Sequence, residues 1–283
     1  MRKATHLVHA VKRFSPGRLA LWMVLLFVTA VALVPFIMML VMSTQNNYEI
    51  FSGASFRPGD HLMKNLESIA AVNFPRSMLN SLVIAVGTTV LSVFSSAMAG
   101  YAFAKWHFKG KKVIFFMVLA TMVVPMEVGY VAFIYQMRLM GLAQTFWPLI
   151  LPNVANAAGV FWMTSYMQDG VPYEIIESGR IDGCNEMKIF LQLVLPLLRP
   201  ALYSLSVIAF LGSWNAYTLP MLMITKSEMF TIPLSIASLG NMQIADYGAR
   251  ILGVVVGILP ILVIFLLTSK YVAEGLTAGS VKG

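Results

Sequence analysis

Three stretches of this 283-residue chain, Leu19 to Met42, Leu79 to Ala104 and Val113 to Tyr135, are long and almost free of charge, with Glu127 the one acid among them. A helix of about 20 apolar residues spans the hydrocarbon core of a bilayer, and a soluble domain seldom carries several such runs. The whole chain agrees, since 11% of its residues are charged against about a quarter in soluble domains. Ala201 to Ile224 and Ile251 to Ser269 qualify as well despite Pro220 and Pro260, because neighbouring helices can satisfy the carbonyls a proline frees. Trp22, Trp106 and Trp147 fall near the expected boundaries, where an indole keeps its ring in the interface and its N–H wet.

A sixth run, Trp147 to Met167, contains Pro152, Asn153 and Asn156, and charge has to decide whether it crosses. With six spans and the N-terminus inside, fourteen Lys and Arg lie on the inner side and six on the outer. Without the fourth span the division becomes eleven against nine, a much weaker positive-inside bias. The expected fold is therefore an all-α, polytopic membrane protein with six transmembrane helices and both termini cytoplasmic. An N-terminal segment covers 1–18, the membrane domain 19–269 and a tail 270–283, with spans at about 19–42, 79–104, 113–135, 147–167, 201–224 and 251–269. The basic start, Met1 to Arg18, precedes an apolar run that approaches the ~20 residues needed to cross the hydrocarbon core, so the first span is expected to be retained rather than cleaved as a signal peptide.

The net charge of +8 sits in short segments beside apolar runs, where it sets topology, and nucleic acid is not an expected partner. One cysteine, Cys184, permits neither an internal disulfide nor a cysteine metal cluster, and is expected to fill apolar space. No phosphate-binding loop, H-E-x-x-H or G-x-S-x-G occurs, and His6, His9, His61 and His107 are scattered over ends and loops. No catalytic residue and no metal site is expected.

The connection 169–199 is patterned. Pro172 suits the first turn of a helix, Glu174 its positive end, and Gly183 the left-handed position that stops it. Asn185 can cap a second helix, on which Met187, Phe190, Leu191 and Val194 form an apolar stripe before Pro196. Glu177, Arg180 and Asp182 would project from this helix-turn-helix bracket. Ser178 and Gly179 have so little side chain that another surface could approach there.

The spacing of Glu177-Ser178-Gly179, Gly183 and Leu193-x-Leu195-Pro196 resembles the EAA signature, EAA-x3-G-x9-I-x-LP, of binding-protein-dependent ABC importer permeases. That resemblance implies a coupling helix that docks in a cleft of a cytoplasmic ATPase, with Glu177 in polar contact and Gly183 at the turn. Ser178 and Gly179 stand for the two alanines and Leu193 for the isoleucine. Gly179 costs its helix about 1 kcal/mol relative to alanine.

Further runs, LNSLV from Leu79, GYAFAK from Gly100, VPMEV from Val124, GSWN from Gly212 and the ending GLTAGSVKG from Gly275, are similar to the carbohydrate-uptake branch and its shorter, maltose-type subunit. The implied partners are a second, related permease subunit, two ABC ATPase subunits, an extracytoplasmic solute-binding protein and membrane lipid. The chain itself would bind no cofactor, ATP and Mg belonging to the ATPases, and would sit in a bacterial or archaeal cell membrane. The resemblance also implies that the tail, through Gly279, Ser280 and Lys282, reaches the ATPases, the other reading being a tail without function.

Polar residues within spans mark a possible solute path. Glu127 is open to three readings: path lining, an ion pair with the partner, or hydration at the boundary. Asn153, Asn156, Trp214 and Asn215 would offer amides and an indole face to a sugar, or serve as glue between helices. An ion-coupled secondary transporter is the rival reading and would need mid-membrane carboxylates or basic pairs, which only Glu127 approaches.

Overall fold

The computed structural model describes residues 16–53, 56–240 and 245–278, and they form helices linked by short turns, the isolated bridge between Gly240 and Ala245 apart. Helix α1 (Pro16–Met42) is followed by the short α2 (Asn47–Phe51) and α3 (Leu62–Ala71), then by the long α4 (Phe74–Lys105). Next come α5 (Lys111–Ala120), α6 (Tyr130–Leu139), α7 (Trp147–Val154) and α8 (Ala157–Gly170). The bracket consists of α9 (Tyr173–Ile181), α10 (Glu186–Ile189), a π-helical turn over Phe190–Val194 and α11 (Leu195–Leu197). The chain closes with α12 (Arg199–Trp214), α13 (Thr218–Met223), α14 (Ile232–Ala237) and α15 (Tyr247–Ala278).

Among the described residues three helices are long and apolar enough to cross a membrane, Gly17–Met42, Phe74–Lys105 and Tyr247–Leu266, and two bent pairs bring the number to five if each is one span. The expected third span, 113–135, is not one straight helix. Its arms meet at 89° across a break before Met126, where Pro125 cannot donate a backbone bond and forces Val124 into extended geometry (ψ 118°). The expected fourth span, 147–167, is interrupted at Ala155, and Asn156 starts the helix again by accepting the N–H of Gly159. The expected fifth, 201–224, stops at Trp214, and Pro220 lies in the first turn of α13, where its missing N–H costs nothing. Pro260, by contrast, sits inside the unbroken 32-residue α15, which extends beyond the expected 251–269 at both ends.

In a bilayer apolar burial does little to drive helices together, so close approach of small residues has to supply the packing. Helix α4 provides it along one face: Ser77, Ser81, Ala85, Thr88, Ser92, Ser96 and Gly100 recur every three or four residues and are all buried. This face packs mainly against α8 and α12. A Cβ on Gly100 would stand 2.7 Å from that of Met163 and 3.0 Å from the backbone N of Thr164, so the α4–α8 crossing requires glycine there.

Candidate functional site

The bracket is built as the sequence suggests at its turn and differently on its second arm. Pro172 occupies the cap position of α9 in extended geometry, one residue before the first turn. At the other end Gly183 adopts φ +75°, its N–H bonds Arg180 O (3.0 Å) and Cys184 N–H bonds Gly179 O (2.9 Å). Those two bonds close the helix end by satisfying the Arg180 and Gly179 carbonyls. Asn185 then accepts Lys188 N–H at 2.8 Å and starts α10. On the expected stripe Phe190 and Val194 are buried, but Met187 and Leu191 are exposed and Ile189 takes their place in the core. The cause is the π turn, closed by Leu195 N–H on Phe190 O, just before a proline that cannot serve the Gln192 carbonyl. The extra residue rotates Met187 and Leu191 outward.

Glu177, Ser178, Arg180, Asp182 and Gly183 are all exposed at the tip, with Ile181 between them at 86% exposure. Sequence reading passes over Ile181, although an isoleucine between an arginine and an aspartate at a helix end is the signal. Gly179 faces the other way: it is buried, and a Cβ on it would meet Leu193 Cδ1 at 2.8 Å and Ile189 Cγ1 at 3.0 Å. The approach that glycine allows is therefore made by the bracket's own second arm. Leu195 is half-buried and Pro196 exposed. Cys184 is partly buried against the apolar cluster beside the turn.

Two residues of α4 that the sequence reading did not single out join this bracket. Tyr101 donates its O–H to Glu186 Oε2 (3.1 Å), and its ring lies 5.5 Å from that of Phe190. Lys105 is buried, donates to Gln168 O at the end of α8 (3.3 Å) and holds its Nζ 4.6 Å from the centre of the Tyr173 ring. Arg180 Nε donates to Glu186 Oε1 at 2.7 Å, and this bond, with the phenol's, holds the Glu186 carboxyl below the usual carboxylate range. The same pairing raises the Arg180 guanidinium.

The candidate path residues separate. Asn153 and Asn156 line a cavity of about 370 Å³ between α4, α8 and α12, together with Thr88, Ser92 and Ser213. Asn156 donates to Ser92 Oγ (3.3 Å) and Ser213 to Thr88 Oγ1 (3.3 Å). A neighbouring cleft of about 220 Å³ shares Met126, Pro152, Asn153, Gly212 and Ser213 and adds the rings of Tyr130 and Tyr217. Among the described residues no Asp, Glu, Lys, Arg or His lines either. The recurrence of Thr88 and Ser92 at helical spacing is the signal that would have found them.

Trp214 does not reach this cavity. It is buried, stacks on Phe210 (5.4 Å, 20°) and donates its indole N–H to Gly257 O of α15 at 3.2 Å. Asn215 lies exposed just past α12, and Glu127 is exposed in the 3-10 turn Met126–Gly129 without lining the cavity. His61 pairs with Asp60 (2.6 Å) and His107 is exposed. Gly279, Ser280 and Lys282 lie outside the described residues.

The fold is similar to that of a bacterial ABC transporter involved in the import of the acidic polysaccharide alginate, with a TM-score of 0.75 over 92% of this chain and 99% of that one at 23% identity. In sequence the chain is similar to the arabinooligosaccharides transport system permease protein AraQ of Bacillus subtilis, 38% identical over 204 residues that make up 72% of each. It is also similar to the diacetylchitobiose uptake system permease protein NgcG of Streptomyces coelicolor, 27% identical over 94% of this chain and 87% of that protein. Residues 92–273, which include the bracket, most of the cavity wall and α12, match the family described as binding-protein-dependent transport system inner membrane component. The chain belongs to that family of membrane permease subunits.

Proposed function

We propose that this chain is one of two related, non-identical permeases of a bacterial or archaeal importer for neutral sugars or oligosaccharides. An extracytoplasmic binding protein delivers the solute, and two separate ATPase subunits, which hold ATP and Mg, drive its movement. The chain spans the membrane six times with both termini cytoplasmic, α7 with α8 forming the fourth crossing and α12 with α13 the fifth. The bracket is then cytoplasmic and is the coupling element. Glu177, Ser178, Arg180, Asp182 and Gly183 form its docking tip, Gly179, Leu195 and Pro196 its support, and Gly279, Ser280 and Lys282 of the tail add contacts to the ATPases.

One observation carries the reading: an EAA-type loop folded into a doubly capped bracket, with charged and apolar side chains exposed together at its tip. Closing of the ATPases would draw the two brackets together and rock the helices between two packings, the rigid-body response expected of alternating access.

The solute reading rests on the cavity lined by Asn153 and Asn156. Amides, hydroxyls and two tyrosine rings suit the hydroxyls and C–H faces of a sugar, and among the described residues no basic side chain lines the cavity to pair with an acidic one. The names of the similar permeases, which transport arabinooligosaccharides and take up diacetylchitobiose, point the same way. An ion-coupled secondary transporter is not favoured, because among the described residues the same lining carries no carboxylate or basic pair of the kind expected along a coupling path.

The test is solute-stimulated ATP hydrolysis by the reconstituted assembly with its binding protein, comparing the native chain with Glu177→Lys. Stimulation should collapse while the subunits still assemble. Stimulation that survives unchanged removes Glu177 from the coupling contact.

A further inference from the structure

The chain bends at both covalent attachments of the bracket. It leaves α8 through Val171 (φ −122°, ψ 103°) and Pro172 (φ −62°, ψ 143°), two extended residues outside any helix. It rejoins the bundle at Leu198, where the segment Glu186–Leu197 meets α12 at 86°. Force applied at the tip would be spent in bending these joints unless a third element fixed the bracket's angle.

Helix α4 supplies polar contacts to that end, beside the apolar packing that α8 and α12 give the bracket. It has no covalent connection to the bracket, yet its last two turns hold both arms. Near α9, Tyr173 donates its O–H to Ala104 O (3.4 Å) and its ring faces the Lys105 ammonium. Near α10, the buried Tyr101 holds Glu186, which in turn holds Arg180 on α9, so one chain of hydrogen bonds runs from α4 through the second arm to the first. The ring of Tyr101 meanwhile packs on Phe190 within the apolar cluster shared by α4, α8 and the bracket.

The far part of α4 reaches the cavity. Thr88 and Ser92 line it, and the helix is unbroken between them and Tyr101. At 1.5 Å per residue the distance from Thr88 to Tyr101 is about 20 Å. The helices that meet around this cavity are interrupted at Ala155 and at Asn215, and the α5–α6 segment at Val124, whereas α4 continues past it.

We propose that Tyr101 and Glu186 form a brace that fixes the bracket's angle to α4, so that α4 carries the bracket's displacement to the cavity wall. They are positioning residues for transport. The inference rests on the bracket being the ATPase-coupling element.

The decisive variant is Tyr101→Phe, which keeps the ring on Phe190 and removes only the hydroxyl. In proteoliposomes holding the complete assembly and its binding protein, solute moved per ATP hydrolysed should fall several-fold. Basal ATP hydrolysis and thermal stability should stay near native values, and amide exchange over 173–198 should rise. An unchanged transport-to-hydrolysis ratio overturns the brace. So does a parallel loss of hydrolysis, transport and thermal stability, which would make Tyr101 only a packing residue. If Tyr101→Phe fails to assemble, Glu186→Gln decides by the same ratio. A native assembly without binding-protein-stimulated uptake would instead count against the transport reading on which the brace depends.

Discussion

Arg180 ties the end of α9 to the start of α10 by donating its Nε–H to Glu186 Oε1 across the Gly183 turn. Glu186 is easier to ionise in the fold than in the unfolded chain, because Arg180 and Tyr101 both donate to its carboxylate. A depressed carboxyl contributes stability that is present above its unfolded pKa and lost as pH falls through its folded pKa. Bracket protection should thus be steady above about pH 5 and weaken below about pH 4. The margin of the native chain over Glu186→Gln, followed by hydrogen exchange over 173–198, should shrink in that window, and a margin independent of pH would remove the ion pair from the account.

Glycines 183 and 179 should fail for different reasons. Nothing lies within 4 Å of a Cβ built on Gly183, so Gly183→Ala carries only the left-handed backbone penalty of about 1–2 kcal/mol. Gly183→Asn should cost less than Gly183→Val, because asparagine enters that region more readily. Gly179→Ala gains about 1 kcal/mol of helix propensity but crowds Leu193 and Ile189. Its effect should turn more favourable when Leu193→Val, which removes the nearest atom, Cδ1, is added, and thermal unfolding of the double-mutant cycle measures that coupling.

Lys105→Ala should destabilise the chain more than a surface lysine would. The substitution leaves Gln168 O at the end of α8 without its donor and removes the cation from the Tyr173 ring. A loss of about 1–3 kcal/mol is expected, measurable by thermal unfolding in detergent. Lys111→Ala is the control, since its ammonium bonds Trp106 O at an exposed position.

Asn153→Asp would place a charge in a cavity lined without one, while its other structural role is a single bond to Leu149 O at 3.3 Å. Import of a neutral sugar should slow with assembly unaffected. Asn156→Ala should do more, because it also removes the cap that starts α8, a loss of about 1 kcal/mol. Uptake rates at saturating binding protein, set beside thermal stability, separate the two effects.

Much of the bracket is legible in the sequence because its turn is made by local chemistry: Gly183 and Asn185 act within a few residues of themselves. The helical class follows equally directly from the uncharged runs. The interruptions before Met126, at Asn156 and past Trp214 are not legible in the same way, since average hydropathy does not register a missing backbone donor. Met187 and Leu191 misled for a related reason, as a π turn changes the phase of a stripe without changing its composition. Tyr101 and Glu186 stand 85 positions apart, and only the folded chain brings them together.

The residues that make the bracket's turn are not those that point away from it. Gly183 and Asn185 close the helix ends, and Gly179, Ile189 and Val194 fill the interior, while Glu177, Ile181, Asp182 and Met187 face outward and support none of this. Substitutions at the outward positions can accumulate over generations without unfolding the element that carries them. If the tip is the docking surface proposed above, a lineage could exchange one motor subunit for another by editing a few side chains on a scaffold that it inherits intact.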